Sequence, residues 1–587
     1  MEPSTHPFLQ LIQSPHIQDK WRGLVMATDA IRNWTEEEIL AVLENVGNSF
    51  LVALLESNER EDIATLEKTD LIALSLSLLA SSCTSHKVCQ GKFWSELLPH
   101  LANIIFREYK RPQRQDGVWS ESVVNCWIVI CSVCSTQEEL LHWFLRNSSL
   151  QNCMFELCKH IVKNESVVNS QRQEQMRQLV KEMSCLGWMI SNTVEDTRER
   201  MLLPYMLLVV MICLNRFREP SFRLDIIHQV YLLSPHFCRI FGHDKQHNMK
   251  NIVWKMDEHL RTGIECFLSN RLNDALRQKL FTIVVEELKV WKLYDFDFGE
   301  KTSSISSLFK YMRFLLFMCS VELGVHLREV LRAPMDSLEN ENNRQLHLVN
   351  IFQIVELCIE FFQRRMVETE ERHSESLRAE EMIEVKAMEA LVENIQVVVD
   401  FLESEPLKSG QQDYPRYTRL SKYFLVGLRV VCCFSILQLP VLEERISTVL
   451  VHSWNNIMDN FQVVFTHIDG DIFYNWISWT RSGVKNLVAY SDVAITVFES
   501  EVFSKVWIQL LQEFINHTSS MFTMVTEVIH DIIDLLACLY EFPCNRRYIQ
   551  DHESTLMSFQ TYWPLERWKT GFMASDHTDR FPGKDDP

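Results

Sequence analysis

The stretch WTEEEILAVLENVGNSFLVALLES, residues 34–57, could form one long helix or two helices folded against each other. Glu38 stands three residues after Thr35, which is the spacing of a capping box at a helix start. Trp34 and Ile39 stand where the two residues of a hydrophobic staple stand, one before the cap and one after it. These two signals predict that a helix begins at this point.

The same stretch also contains a signal for a helix end. Gly47 follows the last apolar residue of the first helical period, where a left-handed C-cap residue is usual. Asn48 or Ser49 can then cap a second helix with its own apolar stripe. Two helices joined by so few residues run roughly antiparallel. The stretch is therefore predicted to be a helical hairpin.

Similar helical units follow along the chain, although no strict consensus repeat or fixed period is visible. Glycine and proline number 15 and 16 in 587 residues, well below their usual shares of about 7% and 5%. Helices that are apolar on two faces are typical of stacked arrays, where neighbours cover both sides. We therefore predict an all-α fold, an armadillo/HEAT-like α-solenoid of stacked helical hairpins. The predicted helix starts are Thr69 or Asp70 for LIALSLSLLA, the Ser135–Glu138 box for EELLHWFL, Ser149 for LQNCMFELCKHIV, and Asn273 for DALRQKLFTIVVEELKVW.

The predicted solenoid runs continuously from residue 5 to residue 556, with two interruptions. Near residues 367–384 the apolar stripe gives way to a charged connector, which is either a solvated helix extension or a loop between two helices. We interpret it as a surface connector; the alternative is a partner-binding or phosphorylated segment with Ser374 and Ser376. A flexible loop is predicted near 405–416, and a poorly ordered C-terminal tail over 557–587.

Charge and cysteine content restrict the class of protein. Lysine and arginine number 58 against 78 aspartates and glutamates, which argues against a nucleic-acid-binding protein. The 17 cysteines are scattered through apolar runs, as expected of reduced thiols in the cytosol or nucleus. The N-terminus has no signal-peptide pattern. The longest clean apolar run, 201–214, is too short to span a bilayer, so no transmembrane span is predicted.

The motifs that suggest chemistry are weak. No two glycines lie close enough for a Rossmann or P-loop phosphate site, and Asp297-Phe298-Gly299 lacks the other kinase motifs, so it is interpreted as the end of a helix. Cys131, Cys134, Cys153, Cys158 and His160 could suggest zinc, but their apolar setting favours core residues. The segment HIDGD, 467–471, is a metal or acid–base candidate that is more typical of an Asx turn.

Several blocks resemble the neurochondrin family in the same order. They are DKWRGLVMATDAIRNWTEEEILAVLENVGNSFLVALLES at 19–57, DLIALSLSLLASSC, HLRTGIECFLSNRLNDALRQKLFTIVVEELKVW, MRFLLFMCSVELGVHLREVL and YFLVGLRVVCCFSILQ. The resemblance implies a cytosolic adaptor linked to neurite outgrowth, receptor cytoplasmic tails and restraint of calcium/calmodulin-dependent kinase phosphorylation. The family has no catalytic residues to transfer. The first cysteine here is Cys83, so the N-terminal cysteine pair that could anchor some members by acylation has no counterpart.

The functional expectation is a non-enzymatic cytoplasmic scaffold of the neurochondrin type that binds proteins or peptides on a solenoid surface. No catalytic, cofactor-binding or metal-binding residue is assigned, no cofactor is expected, and the partner-binding residues and oligomeric state stay unknown. One alternative is a nuclear or assembly/transport HEAT-type factor. Another is an enzyme with a cryptic site.

Overall fold

The computed structural model describes most of the first 460 residues. The described ranges are 7–46, 48–56, 65–83, 85–110, 120–163, 173–193, 202–217, 219–241, 247–270, 272–294, 302–332, 338–371, 378–404, 414–459 and 478–487, with the single residues 498, 508 and 536. The chain forms two compact units, Met1–Asp295 and Phe296–Pro587. The described residues of both units are helical apart from short turns and contain no strand.

The described part of the first unit contains sixteen α-helices. They are α1 Pro7–Ile12, α2 Ile17–Ala30, α3 Glu36–Val46, α4 Asn48–Glu56, α5 Thr65–Ser82, α6 His86–Cys89, α7 Trp94–Tyr109, α8 Glu121–Cys134, α9 Glu138–Arg146, α10 Ser148–Lys163, α11 Gln173–Thr193, α12 Leu202–Arg216, α13 Pro220–Leu233, α14 Phe237–Phe241, α15 His247–Leu268 and α16 Asp274–Leu293.

The quoted stretch forms two helices, as predicted. The capping box of α3 is confirmed, since the Thr35 amide donates to Glu38 Oε2 at 2.8 Å and the Glu38 amide donates to Thr35 Oγ1 at 3.3 Å. The first helix ends at Val46 and the second begins at Asn48. Trp34 stacks on Phe8 of α1, with 5.1 Å between ring centroids. The helix start therefore also fixes the N-terminal helix.

Two of the other predicted helix starts are wrong. Ser135 does not cap α9; its hydroxyl donates to the Ser132 carbonyl at 2.9 Å, because Ser135 ends the preceding helix. Asn147 caps α10 in place of Ser149, and its Oδ1 accepts from the Leu150 amide at 3.1 Å.

The remaining two predicted starts have different outcomes. The cap at Asn273 is confirmed, since its Oδ1 accepts from the Leu276 amide at 2.9 Å. Helix α5 begins at Thr65, four or five residues before the predicted start at Thr69 or Asp70, and the alternating segment LSLSL lies inside it.

The helices of the first unit stack in two rows. One row runs α4, α7, α10, α12, α15, and the other runs α5, α8, α11, α13, α16, each helix packing on the next in its row. Contacts between α4 and α5, α7 and α8, α11 and α12, and α15 and α16 join the rows. Helix α8 is buried from Val123 to Cys134, because neighbours cover it on both sides. This stacking of successive helices is that of an armadillo/HEAT-like α-solenoid, so the predicted fold class is confirmed.

The second unit repeats the arrangement with longer helices. In its described part they are α17 Thr302–Arg332, α18 Leu338–Glu371, α19 Arg378–Glu403, α20 Tyr414–Phe434 and α21 Glu443–Asp459, and residues 478–487 are also helical. Helices α17, α19 and α21 form one row, and α18 and α20 form the other. The buried Asn394 side chain joins α19 to α17 by donating to the Leu316 carbonyl at 2.7 Å.

The predicted interruptions fall at helix ends in this unit. The charged connector is divided between the last turns of α18, which ends at Glu371, and the first turns of α19, which begins at Arg378. Residues 372–377, residues 405–413 of the predicted flexible loop and the predicted tail 557–587 lie outside the described residues. The prediction of one continuous solenoid over 5–556 stays a prediction.

One helical segment, Asn343–Val367 of α18, is long and apolar enough by length and composition to cross a membrane. Its most apolar window has a mean hydropathy of 1.3, and 72% of that window is buried inside the structure. A core helix that packs on α17, α19 and α20 has the same properties.

Candidate functional site

The outer face of α17 carries a row of exposed apolar side chains. Phe317, Val321 and Val325 are 57%, 44% and 48% exposed. They stand at positions i, i+4 and i+8, so they lie on one side of the helix. Beside them, a Cβ atom added to Gly324 would meet no atom within 4 Å. Single exposed apolar residues are common, whereas a contiguous row indicates an interaction surface.

The opposite side of α17 packs against neighbouring helices. Met312, Leu316, Cys319 and Leu323 are fully buried, on the side that contacts α18 and α19. The helix is therefore apolar on two sides. The sequence predicts that neighbouring helices cover both sides, whereas among the described residues only one side is covered.

Basic side chains stand at both ends of the exposed row. Lys310 and Arg313 precede Phe317 by seven and four residues, and Arg328 follows Val325 by three, so all three lie near the same side of the helix. All three are exposed. We define the α17 face as Lys310, Arg313, Phe317, Val321, Val325 and Arg328. From Lys310 to Arg328 this face extends over roughly 27 Å at about 1.5 Å per residue.

The neighbouring helix α19 has exposed side chains of the opposite charge. Asp400 and Glu403, near its C-terminal end, are both engaged by Arg445 of α21. The Arg445 guanidinium donates to Asp400 at 2.8 Å and to Glu403 Oε1 at 2.9 Å. Glu389 and Glu393 are also exposed on α19. An acidic ligand is thus favoured along α17 itself and disfavoured across α19.

A cluster of metal-ligating side chains lies at the contact between α17 and α18. Glu322 and His326 stand at i and i+4 of α17, and His347 belongs to α18. One oxygen, Glu322 Oε2, lies 3.2 Å from Nε2 of His326 and 3.2 Å from Nε2 of His347. Their ligand atoms all lie within 4.8 Å of one another. No other group of three such residues in the described part of the chain meets this criterion.

The zinc candidates taken from the sequence do not form such a cluster. Cys131 and Cys134 of α8 and Cys153 and Cys158 of α10 are buried in the helix stack, as the interpretation as core residues predicts. Burial raises the pKa of the Cys153 thiol to about 11 and raises the pKa values of the other three thiols as well. These side chains behave as small apolar residues.

The other two motif candidates, Asp297-Phe298-Gly299 and HIDGD at 467–471, lie outside the described residues. The sequence reasoning missed the Glu322–His326–His347 cluster, because the histidines were considered singly. A signal was present, since VELGVH contains a glutamate and a histidine four residues apart, on one side of a helix.

Comparisons with known proteins add no assignment. No protein-family model matches the sequence, and no curated protein matches it. A chain from work on a phosphorylation switch that controls the interaction between cadherin and beta-catenin is 12% identical, with a TM-score of 0.41 over 97% of this chain and 98% of that chain.

Two further solved structures are similarly distant. A chain of the SYS-1/POP-1 complex is 10% identical, with a TM-score of 0.34 over 91% of this chain and 92% of that one. A chain from the structure of Kap121p bound to Pho4p is 9% identical, with a TM-score of 0.23 over 97% of this chain and 70% of that one. At these identities and TM-scores, the similarities do not indicate a partner or an activity.

Proposed function

We propose that this chain is a non-enzymatic protein-binding scaffold whose α17 face binds an amphipathic helix of a partner protein. The observation that carries the proposal is the exposed row of Phe317, Val321 and Val325 on a helix whose other side is already packed. A partner helix recognises such a row with apolar residues at i, i+3 or i+4 and i+7. Stacked-helix folds commonly present surfaces of this kind.

Charge selects which helix binds. Lys310 and Arg313 at one end of the face and Arg328 at the other favour a partner with carboxylates in both terminal turns and an apolar centre. Such complementarity mainly accelerates association and rejects wrong partners. The partner segment is therefore a helix of about 18 residues, the length that matches the face.

The energy available from one side chain can be worked out. A phenylalanine buries about 200 Å² when covered, so the exposed 57% of Phe317 corresponds to roughly 110 Å². At about 25 cal/mol per Å² this area contributes at most about 3 kcal/mol, or roughly a hundredfold in affinity. Phe317 is therefore the position whose replacement tests the proposal most directly.

The experiment uses a designed fluorescent peptide as the probe. It is helical, with leucines at alternating spacings of three and four residues and glutamates in both terminal turns. We expect it to bind the full chain, and the Phe317→Asp variant to bind it at least tenfold more weakly. The matched control is Leu224→Asp, which changes a 42% exposed apolar residue on α13 that is not part of the α17 face; this variant should bind as the wild type does.

A second peptide tests the charge argument. In it, lysines replace the glutamates and the leucines are unchanged, and it should bind more weakly than the first peptide at low salt. Equal binding of the acidic peptide by the wild type and by Phe317→Asp would overturn the proposal. Preference for the basic peptide would overturn the choice of occupant.

We also propose that the scaffold has a neurochondrin-type signalling role in the cytoplasm, with receptor tails or kinases as partners. The support is the sequence resemblance, one block of which, MRFLLFMCSVELGVHLREVL, lies on α17 and includes most of the α17 face. Peptides from receptor cytoplasmic tails should compete with the acidic probe. The full chain should also slow phosphorylation by a calcium/calmodulin-dependent kinase. Failure of both tests with intact probe binding would remove this role and leave the scaffold proposal standing.

A further inference from the structure

We propose that Glu322, His326 and His347 bind one Zn²⁺ ion at the contact between α17 and α18. This site is independent of any ligand on the α17 face. Two imidazole nitrogens and one carboxylate oxygen converge there from two helices. Glu322 and His347 are only 3% and 6% exposed, so the three ligands belong to the interior of the unit.

The spacing of the ligand atoms suits a zinc ion. Zinc bonds of about 2.0–2.2 Å place neighbouring tetrahedral ligands about 3.4 Å apart. The distances from Glu322 Oε2 to the Nε2 atoms of His326 and His347 are both 3.2 Å. Two of the three ligand–ligand distances are therefore close to those of a tetrahedral zinc site, and the third is at most 4.8 Å. Two of the three ligands come from consecutive turns of one rigid helix, which fixes their separation.

A neighbouring carboxylate lies beside one of the ligands. The Nδ1 atom of His326 lies 3.4 Å from Glu329 Oε2, and Arg344 of α18 lies 3.6 Å from the same oxygen. A metal-bound histidine usually donates its other ring N–H to a carboxylate, which fixes the tautomer. The 3.4 Å contact does not have hydrogen-bond geometry; in the zinc-bound state we expect Glu329 to accept that proton, which leaves the Nε2 lone pair of His326 for the metal.

The donor set selects the ion. Imidazole nitrogen disfavours Ca²⁺ and Mg²⁺, which prefer oxygen ligands. Two histidines and one carboxylate are a common protein set for Zn²⁺, with a water as the fourth ligand. The ion would cross-link α17 to α18 through Glu322 and His326, which follow Val321 and Val325 by one residue and therefore lie about 100° around the helix from them.

The competing arrangement is a cluster held together by protons alone. In it, both Nε2 atoms carry hydrogen and donate to Glu322. Metal then binds only if it displaces these protons. Metal titration therefore separates the two directly.

The experiment titrates the chelator-treated full chain with Zn²⁺ in competition with a chromophoric chelator, and with Co²⁺ followed by visible absorption. We expect one equivalent to bind. The Co²⁺ adduct should show the visible bands of a tetrahedral site without the near-ultraviolet charge-transfer band of a thiolate ligand. Because Cys266 is exposed, the titration is repeated in Cys266→Ser, which should leave the result unchanged.

Three variants locate the site. Glu329→Gln changes a half-exposed side chain that does not ligate, and it should weaken Zn²⁺ binding about 10–100-fold while the helical circular-dichroism spectrum is kept. His347→Ala should abolish binding. His142→Ala on α9, an exposed histidine paired with Glu138, is the control and should bind as the wild type does. Absence of stoichiometric binding by the wild type, a thiolate band, or an unchanged affinity in Glu329→Gln would each overturn the proposal.

Discussion

Replacing Gly263 by alanine tests whether α12 and α15, neighbours in one row of the first unit, are packed as closely as the structure shows. Gly263 lies inside α15 where that helix crosses α12. A Cβ atom there would lie 2.6 Å from Leu214 Cδ2, 3.0 Å from Leu214 Cγ and 3.3 Å from Asn215 Oδ1. Leu214 is buried, and the Asn215 amide contacts His259 Nδ1 at 3.2 Å. Neither neighbour can move without disturbing further contacts.

Two effects of opposite sign determine the result. Alanine is favoured over glycine within a helix by about 0.8–1.0 kcal/mol. Forcing an extra carbon into a close-packed core costs about 1–3 kcal/mol. Gly324→Ala in α17 is the matched control, because its added Cβ would meet no atom within 4 Å and only the helix preference applies. The two variants should therefore differ by about 1–3 kcal/mol, with Gly263→Ala the less stable.

Urea unfolding followed by circular dichroism measures the free energy of unfolding of both variants. The melting temperature is a second measure, and it shifts by about 2–4 °C per kcal/mol in a unit of this size. A double variant separates the two effects. In a Leu214→Ala background the two closest atoms are gone and only the 3.3 Å contact with Asn215 Oδ1 remains, so adding Gly263→Ala should stabilise the chain by most of the helix preference. If Gly263→Ala stabilises the wild type as much as Gly324→Ala does, the close contact between α12 and α15 is refuted.

Three further predictions concern single side chains. Thr35→Ala removes half of the capping box with Glu38 and should cost about 1 kcal/mol, measured as faster hydrogen exchange in the first turn of α3. Asn394→Ala removes the bond to the Leu316 carbonyl and should lower the free energy of unfolding by about 1–3 kcal/mol. Burial raises the pKa of Glu182 in the folded chain above the ordinary 4.5. The stability that the protonated Glu182 side chain contributes is therefore present below the unfolded-state pKa and is lost as the pH rises through the folded-state pKa. Glu182→Gln should therefore be more stable than the wild type at pH 7, and urea midpoints should show this advantage vanish as the pH falls below about 4.5.

The capping residues in the sequence predicted a helix start correctly only where the packed helix begins directly after them. The capping box at Thr35 and the cap at Asn273 formed because a helix begins at the residue after each of them, Glu36 and Asp274. The Ser135 box failed because α8 continues to Cys134 and uses Ser135 at its own end. Asn147 caps α10 because the helix starts at Ser148, two residues before the start that a cap at Ser149 predicts. Sequence spacing identifies which side chains can cap a helix, whereas tertiary packing determines the residue at which the helix begins.

The α17 face could be predicted in part. Periodicity in the sequence shows that α17 is apolar on two sides. One of these sides contains Phe317, Val321 and Val325. Periodicity does not show which side a neighbour covers, because that depends on how α18 and α19 pack. The expectation that both sides are covered is correct for α8, which is buried from Val123 to Cys134, whereas the described neighbours of α17 cover one side of that helix. The exposed row is therefore a property of the tertiary arrangement.

The metal cluster shows the same limit at the level of single atoms. The spacing of Glu322 and His326 places them on one side of a helix, and that much can be deduced from the sequence. His347 follows His326 by 21 residues and joins the pair only because α18 packs on α17 in one particular register. A shift of α18 by one residue would rotate His347 about 100° away from Glu322. Zinc bound at this site would oppose any such shift, so Zn²⁺ affinity reports the register of the two helices directly.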